Sequence, residues 1–139
     1  MADVMGALQR ARTLELEVQT QLEHIEMIRR IARRMRESAA YAQETVEKLA
    51  RLEAQLNDAV DQMCDAKREA LRFVSYLSGE ERSVIEGYYI LAKNWDRLAL
   101  DLYMSERRIY MLRKSGLAKL MDRFGGSAPS ASAGGVRIS

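Results

Sequence analysis

Asn94–Leu120, NWDRLALDLYMSERRIYMLRKSGLAKL, decides the fold. Trp95, Leu98, Ala99 and Leu102 recur at the spacing of one helix face, and Ile109, Leu112, Leu117 and Leu120 mark the apolar stripe of a second, longer helix. Between them Tyr103-Met104-Ser105 is long enough for a tight turn. Ser105 suits an N-cap, its hydroxyl accepting from an orphan amide of the first turn, and Asn94 suits the same role one helix earlier. A short helix, a tight break and a capped longer helix are the parts of a helix-turn-helix in the order that motif requires.

Upstream, Leu77-Ser78-Gly79-Glu80-Glu81 starts a further helix. Ser78 and Glu81 have the spacing of a capping box, and Val84, Ile85, Tyr88 and Tyr89 are expected to face inward over a helix that reaches roughly Leu91. Lys93-Asn94 then supplies the break, and the three helices form a trihelical module.

The N-terminal half is patterned differently. Thr45, Leu49, Leu52, Leu56, Ala59, Met63, Ala66, Ala70, Phe73 and Leu77 recur in alternating steps of four and three, the signature of a coiled-coil seam. A looser seam runs through Ala7, Ala11, Leu14, Val18, Gln21, Ile25, Ile28, Ala32, Met35 and Ala39, with Leu8, Leu22 and Ile31 broadening it. A break between Arg36 and Ala40, with Ser38 as cap, folds the two helices into an antiparallel hairpin; with no Gly or Pro there, one continuous helix is the alternative. Alanines in both seams permit close approach.

The expected organisation is therefore all-α: a coiled-coil hairpin over 1–77, a helix-turn-helix module over 78–124, and a disordered tail over 125–139, where GGSAPSASAGGVRIS holds almost no large apolar residue. The 47% hydrophobic and 30% charged composition suits a helix-rich soluble chain, and no apolar run approaches the roughly 20 residues needed to span a bilayer. With no signal-peptide pattern either, a cytoplasmic location and no membrane partner are expected. The one cysteine, Cys64, rules out an internal disulfide and is expected to be buried or half-buried beside Met63. The one histidine, His24, fits a surface or seam edge. Neither has neighbours at metal-ligand spacing, and no phosphate loop or nucleophile elbow is present, so catalytic residues, metal and cofactors are expected to be none.

Charge is uneven although the net is only +2. Met1–Leu77 carries 12 basic and 13 acidic side chains, whereas Ser105–Arg123 has six basic (Arg107, Arg108, Arg113, Lys114, Lys119, Arg123) against Glu106 and Asp122. Basic charge on the second helix of such a motif points to double-stranded DNA. The cluster Arg29, Arg30, Arg33, Arg34 and Arg36 reads as a solvated face near the hairpin tip or as a contact for an acidic partner.

Taken together, Leu77–Leu120 resembles region four of bacterial sigma factors, and the long coiled coil followed by LSGEERSVIEGYYI and the helix-turn-helix is similar to small sigma-like regulators of phages and prophages, the RinA-like and ArpU-like families. The resemblance implies sequence-specific DNA binding and late-gene activation with host RNA polymerase, the coiled coil acting as a homodimer contact or engaging the transcription machinery. By position it places Ser105, Glu106, Arg107, Arg108, Tyr110, Met111, Arg113 and Lys114 at the DNA. Arg107 is the leading base reader, because a guanidinium donates twice to guanine, and Lys114 a backbone contact. Two departures stand out: Tyr103 where the turn commonly has Gly, and Gly116 within the recognition helix. A DNA-packaging recognition subunit, distinguished by assembly into a ring, and a helical protein-binding adaptor without DNA contact are the competing readings.

Overall fold

The computed structural model describes residues 3–34 and 39–125; the side chains of 39–41 are not described. Among the described residues there is no strand. Helix α1 spans Val4–Arg34, α2 Ala39–Val74, α3 Gly79–Ile85, α4 Trp95–Leu102 and α5 Glu106–Phe124, with a π-helical turn, Glu86–Ile90, continuing α3. No described helix is long and apolar enough to cross a membrane.

Helices α1 and α2 pack antiparallel along the expected seams, so the hairpin and not the continuous helix forms. Two cross-helix ion pairs, Glu15–Lys67 and Arg29–Glu53, sit two heptads apart on both helices and fix one register. Val4, Ala7, Leu8, Ala11, Leu14, Val18, Ile25 and Ile28 of α1 are buried, as are Thr45, Ala66, Ala70 and Val74 of α2. The expected cap Ser38 and the seam residue Met35 lie outside the described residues, as does the tail from residue 126; Gly125 closes α5 in the left-handed conformation, φ 76°.

Two expectations about this half are corrected. Leu22 and Ile31 do not broaden the buried stripe: they are 44% and 39% exposed, because a two-helix hairpin buries only the stripe between its helices and no third element covers its flanks among the described residues. Cys64 is exposed, one residue beyond Met63 and so about 100° off the seam.

The base of the hairpin and the trihelical module share one core, in which Val4, Leu8, Ala11 and Leu14 meet Ala66, Ala70, Val74 and Leu77, then Ile85, Tyr89, Ile90 and Leu120. Small residues make the contact close. At Gly116, on α5, an added Cβ would lie 3.1 Å from Ile85 Cγ1 and 3.5 Å from Leu77 Cδ1, so the glycine inside this helix is a packing feature. A second cluster, Val84, Leu98 and Ile109, holds α3, α4 and α5 together, with Trp95, Ala99, Leu102, Met104 and Leu112 around it.

The capping box is not formed. Ser78 has the extended backbone of an N-cap, but its side chain makes no capping bond. The Glu81 carboxylate instead crosses to α5, accepting from Ser115 Oγ at 2.5 Å and from Lys119 Nζ at 2.7 Å. A charge-assisted pair with a neighbouring helix outweighs the neutral reach-back that the local spacing suggests.

Candidate nucleic-acid interface

The site is built on α4, the turn and α5. Asn94 Oδ1 accepts from Arg97 N at 2.9 Å and Ser105 Oγ accepts from Arg108 N at 3.1 Å, so both helices start where their caps lie. Between them Tyr103 adopts φ 55°, ψ 46°, and its side chain is 95% exposed. The turn therefore does use the left-handed region, with a tyrosine where glycine is cheaper. Met104 N closes it by donating to Ala99 O at 3.0 Å.

Burial on α5 separates the eight residues assigned to DNA. Ile109 is fully buried and Leu112 packs beside it, which turns Arg107, Tyr110, Met111 and Lys114 outward together. Tyr110 and Met111 are 57% and 58% exposed. Ala118 prolongs this stripe; neither it nor Leu100, 70% exposed on the outer face of α4, was singled out from sequence. Leu100 was legible all the same, since it falls opposite Leu98 and Leu102 on a 3.6-residue helix.

The other four are committed elsewhere to different degrees. Ser105 caps its own helix. Arg108 pairs with Glu80 at the start of α3. Glu106 lies against Asp96 of α4, and a hydrogen bond between the two carboxyl groups, reinforced by charge repulsion, raises the Glu106 pKa above its ordinary value. Arg113 is a correction: it is turned inward, donating to Tyr89 Oη at 3.1 Å and lying 5.4 Å from the Trp95 ring centroid. Its position four residues after Ile109 places it on the flank of the buried stripe, where an aromatic shelf receives the guanidinium.

That shelf is continuous. Tyr88 and Trp95 stack with centroids 4.1 Å apart, and Arg12 of α1 covers the other side of Tyr88 at 3.8 Å. Arg12 Nη1 also donates to the carbonyls of Tyr88 at 2.6 Å and Lys93 at 3.0 Å. The hairpin thus grips the loop that orients α4, and Arg113 ties α5 to the same aromatic pair.

These contacts reduce the charge available to a ligand. Of the six basic residues between Ser105 and Arg123, Arg108 and Lys119 are ion-paired, Arg113 is turned inward and Arg123 lies 4.2 Å over the Tyr76 ring. Arg107 and Lys114 make no ion pair among the described residues. Lys93, in the loop before α4, and Arg97 on α4 both bond Asp101, whose pKa the Lys93 hydrogen bond lowers. Comparison with known proteins finds no matching family model and no significantly similar curated protein or solved structure.

Proposed function

We propose that the chain is a sequence-specific DNA-binding transcription regulator of the sigma region-four type, a phage or prophage late-gene activator working with host RNA polymerase. The observation that supports this most is the outward stripe Arg107, Tyr110, Met111 and Lys114 on a helix capped directly after a turn. Arg107 reads guanine and Lys114 contacts phosphate. With only these two cations uncommitted on the stripe, α5 neutralises few phosphates. With Arg107 on a base, Lys114 is the stripe's phosphate contact, and at about −0.9 per neutralised phosphate the salt slope attributable to this helix is on the order of −1.

The test is a titration of labelled promoter and random duplexes at several salt concentrations. Arg107→Ala is expected to lose about 1–3 kcal/mol on the specific site with little change on random DNA, whereas Lys114→Ala weakens both alike. Equal losses on both duplexes for both variants would overturn these roles.

The exposed apolar residues Leu100, Tyr103, Tyr110 and Met111 favour a second reading, in which this face docks a protein. It requires that no duplex bind even at low salt while RNA polymerase is retained. In either case the long hairpin, whose Leu16, Leu22, Met27 and Ile31 stay exposed, serves as the contact for a second copy.

A further inference from the structure

We infer that the recognition stripe reads the C5 methyl group of thymine beside the guanine, through Met111 and Tyr110. The inference rests on the DNA-binding reading above and goes beyond it to the chemistry of the operator. Arg107, Tyr110, Met111 and Lys114 fall within a sector of about 100° on α5, so an approaching duplex meets all four together. Two of the four are largely apolar and more than half exposed. In a major groove their surface leaves water, and hydrogen-bonding base edges return nothing for it. Thymine's methyl is the apolar group that unmodified DNA presents there. The unbranched Met111 thioether adapts to such a group, and the Tyr110 ring gives it a flat wall while its hydroxyl stays free for a phosphate or base.

Alternative tasks for these two side chains within the chain are absent among the described residues. Neither belongs to, nor packs against, either core cluster, and the Tyr110 ring joins none of the aromatic pairs. Beside Met111 a shallow groove lined by Ser105, Arg107, Arg108, Leu112 and Ser115 continues the surface, so the methyl-reading residue adjoins the guanine-reading guanidinium. The operator should accordingly contain a guanine with thymine within the next one or two base pairs.

The experiment uses the full chain and a preferred duplex selected from a randomised, unmethylated library. Each thymine is then replaced in turn by deoxyuridine, which deletes only the methyl. Affinity is expected to fall about fourfold at one or two positions next to the Arg107-dependent guanine, the value of one buried carbon, and to be unchanged elsewhere. Met111→Ala, an exposed substitution whose folding is checked by thermal melting, should bind the thymine duplex more weakly and lose the discrimination. Equal affinity for thymine and deoxyuridine at every position, with Arg107-dependent binding intact, overturns the inference and leaves the DNA-binding reading standing. Failure to select any preferred duplex overturns both.

Discussion

The Arg12 guanidinium lies 3.8 Å from the Tyr88 ring centroid and donates to the Tyr88 carbonyl at 2.6 Å, so one side chain of the first helix holds both the ring and the backbone at the joint between hairpin and module. That joint carries a non-glycine residue, Ala92, at φ 55°, and the π-helical turn whose Leu91 N bonds Glu86 O. Strained backbone of this kind persists where its surroundings over-determine it. Arg12→Ala leaves two carbonyls without their charged donor and removes the stacking contact. The expected cost is about 2–3 kcal/mol in denaturant unfolding, with Arg12→Lys recovering part of it. A loss no larger than that of an ordinary surface substitution would mean that the module holds this loop unaided.

Two buried glycines make opposite demands. At Gly87 an added Cβ would sit 2.3 Å from Leu98 Cδ2, and Leu98 is 1% exposed, so the leucine has little room to yield. Gly87→Ala is expected to destabilise by about 1–3 kcal/mol through overpacking. Gly116→Ala meets Ile85 at 3.1 Å, a contact that needs only a small shift, and gains roughly 1 kcal/mol of helix propensity. Its net effect should stay within about 1 kcal/mol by this offset. Thermal melts of the two variants side by side check the ranking, and a more damaging Gly116→Ala would contradict it.

Periodicity made the hairpin and two of the helix boundaries legible, because each is set by local spacing or by a cap: the seams, Asn94 and Ser105. What the sequence concealed depends on partners far along the chain. Glu81 has a capping-box position but is drawn to Lys119, and Arg113 counts as a surface cation until Tyr88, Tyr89 and Trp95 are assembled beneath it. Nor does a linear count of basic residues show which of them a fold neutralises. Among the described residues, Arg107 and Lys114 emerge as the pair without an ion-pair partner only once Glu80 and Glu81 of α3 are brought alongside α5.

Tyr103 offers a test of the turn itself. Its backbone is left-handed while its side chain touches almost nothing, being 95% exposed. Tyr103→Gly relieves a steric cost of about 1–2 kcal/mol and gives back part of it as extra freedom in the unfolded chain. The variant should therefore be as stable as the natural chain or up to about 1 kcal/mol more stable. A clear destabilisation would show that the exposed ring contributes to folding in a way the turn geometry does not require.

The Glu81 bridge predicts a pH dependence of stability. Hydrogen bonds from Lys119 first and Ser115 second hold its carboxyl below the ordinary glutamate value. A depressed folded-state pKa means that the contribution is complete above the unfolded value and disappears as pH falls through the folded one. The acid limb of the unfolding midpoint should flatten in Glu81→Gln. An unchanged limb would assign acid sensitivity to other carboxylates.

Glu106 has the opposite sign, with consequences for the interface. Asp96 raises its pKa, first by hydrogen bonding and then by charge, so the folded chain holds this proton more firmly than the unfolded chain does. The stability it contributes is present below the unfolded value and is lost as pH rises through the raised one. Both carboxylates flank the leading end of α5, where a phosphate backbone would add a further negative charge and pull the proton on more strongly. Duplex binding is accordingly expected to take up a proton, and affinity should increase as pH falls through the raised Glu106 titration. Glu106→Gln mimics the protonated form, so it should bind at neutral pH at least as tightly as the natural chain and lose the pH dependence. Anisotropy titrations of one duplex at constant salt across the acid side of neutrality measure this directly. Affinity that ignores pH in the natural chain, or a Glu106→Gln variant that binds more weakly at every pH, would instead make the ionised carboxylate a contact to a base amino group.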